Sequence, residues 1–270
     1  GAFLASLVPI FPFQVRQRNR DQSRLLMIFG LTLLMAGLAV RAWAVPVPGP
    51  EKSLVTLHIT GFARDYQTPW ADLPPRSQKC QGIWLGEGLI LTSAAPLQES
   101  YLIEAEKDGN SKHVPAELVL RDYRCMLALV RVKDPAFARG LVSATVGADA
   151  PLHAKGTLAA WDDAGNALTY GGEISKASMT GYYGPVLVLT VNTEAPSLPT
   201  GTPFFVGGRV QGLVYWMDTY AKQASVASAR TLRWFLAASK SGTYQGLCHD
   251  GMDQAESAND EPLREYLGAA

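Results

Sequence analysis

No charge of either sign predominates in this chain of 270 residues: 24 Lys and Arg balance 24 Asp and Glu, for a formal net charge of zero. Nucleic-acid binding usually needs a strongly basic face, so the balance argues against a nucleic-acid partner. Charge is also scarce, at 18% of residues against roughly 25% in an average soluble domain. That scarcity, beside a hydrophobic share of 47%, hints at a membrane segment. Cysteine is thin as well. Cys80, Cys125 and Cys248 stand far apart with no C-x-x-C pair, so no zinc site of that kind is expected. One disulfide among them with a thiol left over, or three buried thiols, fits the count equally. Haem-attachment and nucleotide-loop motifs are absent, and no cofactor or metal is expected.

An uncharged apolar run covers residues 25–40; Arg41 interrupts it and residues 42–45 extend it. Arg41 can carry its guanidinium to the interface, and Trp43 suits the same level. The segment 25–45, opening on Leu25 and closing on Val45, reaches roughly the twenty residues needed to cross a bilayer. A rival reading is a cleaved leader, because Ala42-Trp43-Ala44 fits the A-x-A pattern behind a basic region and an apolar core. The expectation is an uncleaved transmembrane helix in contact with the lipid bilayer. Arg16, Arg18, Arg20 and Arg24 precede it, whereas only Arg41 follows before Lys52. The positive-inside rule then places the N-terminus in the cytoplasm and the main domain outside. For a bacterium this means a single-pass inner-membrane protein with a periplasmic domain. Residues 1–24 read as a cytoplasmic or interfacial segment, because Pro9 and Pro12 break their short apolar stretch. Residues 46–52 read as a Pro-rich linker. Gly30, Ala36 and Gly37 would let another helix approach closely.

Beyond the linker, short apolar runs alternate with turn residues. They fall at 53–60, 82–92, 116–120, 127–132, 156–160, 172–175, 186–191, 202–206 and 210–216. Many short strands punctuated by Gly, Pro, Asp and Asn predict an all-β sandwich or barrel. Only residues 228–240 carry helical periodicity, with Leu232, Phe235 and Leu236 on one face.

The order of motifs goes further. Gly82-Ile83-Trp84-Leu85-Gly86-Glu87-Gly88-Leu89-Ile90-Leu91-Thr92-Ser93-Ala94-Ala95 resembles the strand, tight turn and strand that lead to T-N-A-H-V in trypsin-like serine proteases of HtrA (Deg) type. Asp122-Tyr123-Arg124-Cys125-Met126-Leu127-Ala128-Leu129-Val130 is similar to that family's loop and D-L-A-L-L strand. Gly172-Glu173-Ile174-Ser175 is similar to its G-I-V-S, and Gly208-Arg209-Val210-Gln211-Gly212-Leu213 to its G-x-V-I-G-I hairpin. Leu198-Pro199-Thr200-Gly201-Thr202-Pro203 occupies the place of G-N-S-G-G-P. The resemblance implies a trypsin-like double β-barrel with a C-terminal helix over residues 53–240, preceded by one transmembrane helix. Residues 241–270 read as a tail; Tyr244-Gln245-Gly246-Leu247 looks like the start of a PDZ domain, either vestigial or cut short.

The same resemblance puts Ala95 at the histidine position, Met126 at the aspartate position and Thr200 at the serine position. Acyl transfer on this fold needs a nucleophile, a base and a group that orients the base. A methyl side chain cannot accept a proton, and an unassisted threonine hydroxyl is a poor nucleophile at neutral pH. Leu198 and Pro199 stand where the oxyanion loop needs glycine freedom, and Pro199 pushes Leu198 toward extended geometry. His58, His113, His153 and His249 lie at no family position and read as surface or strand-edge residues. Asp122 and Glu194 read as solvated carboxylates, and Ser93 and Ser197 as loop serines. The expectation is therefore a pseudoprotease with no enzymatic activity, acting as a structural or accessory subunit of a membrane protein complex. Its partners would meet the 25–45 helix and the outer domain, through aromatic residues such as Tyr66, Trp70, Tyr182, Tyr183, Tyr215, Trp216 and Tyr220. The alternative is a regulatory peptide-binding pseudoprotease or a partner of active HtrA-like proteases. An active enzyme with rearranged groups is the remaining case, kept open by the Thr200 hydroxyl.

Overall fold

The computed structural model describes residues 49–62, 67, 74–107, 112–180, 186–246 and 254–255. The expected 1–24 segment and 25–45 helix lie outside these residues, as do Tyr66, Trp70, Tyr182, Tyr183, Cys248 and His249. Among the described residues no helix is long and apolar enough to cross a membrane.

A short 3-10 turn at Pro50–Ser53 leads into six antiparallel strands. They are β1 (Leu54–Gly61), β2 (Arg76–Gly86), β3 (Leu89–Ser93), β4 (Ser100–Glu106), β5 (Val114–Asp122) and β6 (Leu127–Val132). They close into a barrel in the order β1-β2-β3-β6-β5-β4. The second half supplies β7 (Lys155–Trp161), β8 (Ala167–Thr180), β9 (Val186–Thr193), β10 (Pro203–Val206), β11 (Arg209–Asp218) and β12 (Gln223–Ser228). Their order, β8-β7-β10-β11-β12-β9 with β8 closing on β9, is the same ring topology repeated. A short strand, β13 (Gln254–Ala255), pairs with the distal end of β8. The expected double barrel is thus present, and helix α1 (Ala229–Ser239) ends the second half. Ser228 caps α1 by accepting the Thr231 N–H, and Leu232 and Phe235 are fully buried beneath it.

Both faces of the first strands are buried, which explains their unbroken apolar runs. Val55, Trp84 and Ile90 point into the first barrel with Leu57, Ile59 and Cys80. Their neighbours Leu54, Ile83 and Leu91 point the other way, into a seam shared with Phe205, Val210 and Leu213 of the second barrel and with Leu232 and Phe235 of α1. A third cluster, including Leu158, Ile174, Val191, Leu198 and Phe204, fills the second barrel. Strand periodicity of two assigns alternate residues to barrel and seam. The β2–β3 hairpin turns at Gly86, Glu87 and Gly88, all with positive φ. At Gly88 a Cβ would lie 2.6 Å from the Val132 carbonyl oxygen, so glycine is required there.

Candidate functional site

The three positions singled out in the sequence lie on loops at or against the first barrel. Ala95 opens a 3-10 turn, Ala95–Leu97, directly after β3, and its methyl group is exposed. Met126 immediately precedes β6 and is buried. The Ala94 N–H donates to the Met126 carbonyl at 2.9 Å, so the two positions are held side by side. Met126 takes φ 61°, in the left-handed region that asparagine and aspartate enter more readily than methionine.

Thr200 lies between β9 and β10, on a loop clamped from both barrels. Its carbonyl accepts the Gln81 N–H of β2 at 2.8 Å, and the next N–H, of Gly201, donates to the Val214 carbonyl of β11 at 2.6 Å. The Pro199 carbonyl accepts both the N–H and the hydroxyl of Thr202, at 3.2 and 2.7 Å. Gly201 has φ 84°, and a Cβ there would fall 1.8 Å from the Gln81 carbonyl oxygen. The loop therefore packs its backbone directly on the first barrel. Leu198 turns its side chain into the core of the second barrel, and Pro199, between Leu198 and Thr200, has its φ fixed by the ring.

Neighbouring polar groups are engaged elsewhere. His58 contacts Glu106, His113 faces Glu104, and His153 pairs with Glu173. Glu194 is solvated and paired with Lys222, in line with expectation. Asp122 departs from its expectation as a solvated carboxylate: it is buried, and its oxygens accept the Arg124 N–H at 2.7 Å and the Tyr244 hydroxyl at 2.6 Å. Ser93 is likewise no loop serine; it ends β3 fully buried, and its hydroxyl has no hydrogen-bond partner among the described residues. Trp84 is core, Trp161 and Tyr215 are half-buried, and Trp216 and Tyr220 are exposed.

Cys80 and Cys125 are free thiols, one inside the first barrel and one in the seam, so no disulfide joins them. Burial pushes each thiol up to about 12. Asp149, in the connection between the barrels, takes Arg230 and Arg233 of α1 at 2.8 and 2.9 Å. Partial burial alone would raise its carboxyl; hydrogen bonds from Arg233 and Arg230 overcome this and hold it below the usual range.

Two contacts that fasten the site were invisible to local pattern. Gln81 reads in the sequence only as a polar residue between Cys80 and Gly82, yet it holds Thr200 and also reaches the Thr56 hydroxyl and the Trp161 carbonyl. Tyr244 reads as the edge of a tail, yet it is bonded to Asp122.

Two closed six-stranded barrels of identical ring order, a loop at 198–203 clamped between them and a closing helix define a trypsin-like serine protease fold. No family model matches the chain. Protease Do-like 2, chloroplastic, of Arabidopsis thaliana is 23% identical over 157 residues, 57% of this chain. The chain spans 26% of the length of that curated relative. Among solved structures, the active form of the Rv3671c protease from M. tuberculosis matches with a TM-score of 0.57 at 20% identity, over 75% of this chain and 87% of that one. The inactive form of the Rv3671c protease matches with a TM-score of 0.55 at 18% identity, over 73% and 93%. The fold is that of the trypsin-like proteases, and the chain is related to HtrA-like proteases.

Proposed function

We propose that this chain is a non-catalytic, membrane-anchored pseudoprotease that serves as a structural or accessory subunit of a membrane protein complex. The observation that carries the loss of chemistry is the pair at the seam: an exposed methyl group at Ala95 beside a buried thioether at Met126, joined through the Ala94 N–H and the Met126 carbonyl. Neither side chain can take a proton from the Thr200 hydroxyl or orient a group that does. Pro199 and the inward-turned Leu198 support the same reading, because Leu198 lacks the glycine freedom that would aim its N–H at an oxyanion and Pro199 restricts it further. The membrane part of the proposal rests on the sequence of residues 25–45 and its flanking arginines.

Two measurements test it. Fluorophosphonate probes are expected to leave Thr200 unlabelled, and stoichiometric labelling there would overturn the loss of catalysis. Gentle detergent extraction followed by mass spectrometry is expected to recover the chain with other subunits, and a strictly monomeric chain would overturn the accessory role. A second reading, a regulatory peptide binder, draws support from one feature. A groove of about 840 Å³ runs beside α1, lined by Leu85, Leu120, Leu129, Val146, Leu236 and Tyr244. Saturable binding of unfolded peptides that is lost on Leu120→Lys would favour that reading over the first.

A further inference from the structure

The outer face of the first barrel carries a group of side chains that the degenerate site does not use. Strand alternation turns Leu57 and Ile59 of β1 inward and His58 outward; on β4 it turns Ile103 and Ala105 inward and Glu104 and Glu106 outward. The antiparallel register sets His58 opposite Glu104 and Thr56 opposite Glu106, so all three outward groups share one patch. His113, just before β5, completes it. The His58 Nε2 lies 2.5 Å from Glu106 Oε2, and the two imidazole rings stack with centroids 4.0 Å apart. His113 Nε2 lies 3.8 Å from the same Glu106 oxygen, and its Nδ1 lies 3.6 Å from Glu104. One donor atom from each of His58, Glu106 and His113 falls within 4.8 Å of the others.

We infer that His58, Glu106 and His113 form a binding site for a divalent transition-metal ion of zinc type, with Glu104 orienting His113. Two imidazoles and one carboxylate are a donor set that suits Zn²⁺, with bonds of roughly 2.0–2.2 Å. Around a tetrahedral ion such bonds place donor atoms about 3.4 Å apart. The present separations bracket that value, so side-chain rotations of about 1 Å close the site. His113 is on the surface, with room to turn. The Glu104 carboxylate stands at the nitrogen of His113 that faces away from Glu106. A ligating histidine commonly uses its second N–H in this way, which fixes its tautomer and ring plane. His58 and Glu106 are mostly shielded from water, with side chains 18% and 14% exposed, which strengthens coordination relative to a fully solvated cluster. Lys79, across from His58 on β2, is the nearby cation in register, and it is turned to Asp163 at 2.7 Å. A bound ion would tie β1, β4 and the entry to β5 together, and would leave a fourth position for water or a donor from another chain.

The site is independent of the pseudoprotease reading and is tested separately, by titrating Zn²⁺ into the full chain in detergent. One equivalent of Zn²⁺ per chain is expected to bind and to raise the melting temperature. His113→Ala and Glu106→Gln should each weaken binding at least tenfold and abolish the thermal shift. His153→Ala, which removes a histidine–glutamate pair elsewhere, and Cys248→Ser should leave both unchanged. His113 is exposed, so its replacement leaves the fold intact, and circular dichroism checks this. Absence of saturable Zn²⁺ binding, or wild-type affinity in His113→Ala, would overturn the inference.

Discussion

The Tyr244 hydroxyl donates a 2.6 Å hydrogen bond to Oδ2 of Asp122, joining the segment after α1 to the corner between β5 and β6. The Tyr244 ring stands edge-on to Phe235 at 5.7 Å, so the contact is apolar as well as polar. Burial, and then the bond to the Asp122 carboxylate, push the phenol well above its ordinary ionisation range. Tyr244→Phe keeps the ring and removes the bond. Because the acceptor is a buried carboxylate, the expected loss is about 1.5–3 kcal/mol in urea unfolding. A change below about 0.5 kcal/mol, the scale of an ordinary surface substitution, would show that the bond does not fasten the segment.

The two described thiols make a prediction about alkaline pH. Cys80 and Cys125 are raised from an ordinary value near 9 to about 12 by burial. Between those values the unfolded chain has released protons that the folded chain still holds. Stability is therefore fully present below pH 9 and falls as pH rises toward 12. In the native protein at pH 8 both thiols should resist a disulfide reagent and react once urea is added; mass mapping of the labelled peptides separates them from Cys248. Rapid native labelling of Cys80 would contradict the burial.

Gly201 and Gly171 should respond oppositely to alanine. At Gly201 the left-handed backbone and the Gln81 carbonyl leave no room for a methyl group. The expected cost of Gly201→Ala is well over about 2 kcal/mol. Gly171 in β8 has nothing within 4 Å of its Cβ position. Gly171→Ala should gain about 0.4–1 kcal/mol by restricting the unfolded chain. Thermal denaturation of both variants checks the contrast.

Ser93→Ala should stabilise the protein. The Ser93 hydroxyl is buried with no partner among the described residues, so folding strips it of water without replacement. Removing it is expected to gain about 1 kcal/mol. A loss of stability would mean that the hydroxyl is satisfied after all.

Restoring the three side chains together, as Ala95→His, Met126→Asp and Thr200→Ser, should leave peptide hydrolysis undetectable. The triad would return, but Leu198, pressed toward extended geometry by Pro199, would still lack the glycine freedom that aims its N–H at an oxyanion. Turnover in the triple variant would show that the loop is competent and that the side chains alone had been lost.

Much of the architecture was readable where local pattern and tertiary demand agree. The β2–β3 hairpin announced itself through Gly86 and Gly88, and α1 through Leu232, Phe235 and Leu236. Two strands of the rings went unread. In β4, Tyr101 and Leu102 are both exposed, which breaks the apolar alternation and leaves only Ile103 and Ala105 to mark the inner face. In β12, Gln223–Ser228, the inward residues are Ala224 and Val226, too small and sparse to register as an apolar run. Ala95, Met126 and Thr200 were singled out because each sits beside a strand with a recognisable local signature. Gln81 against Thr200, Tyr244 against Asp122 and His58 against His113 were not, because chain folding alone brings them together.

The seam has one property that reaches beyond this chain. Its three key positions are held in place by main-chain atoms: the Ala94 N–H, the Met126 and Thr200 carbonyls, and the Gly201 N–H. Substituting a side chain at 95, 126 or 200 removes none of those bonds. The bonds that hold these positions are therefore indifferent to the side chains placed there, although at 126 burial and the left-handed backbone still limit the choice.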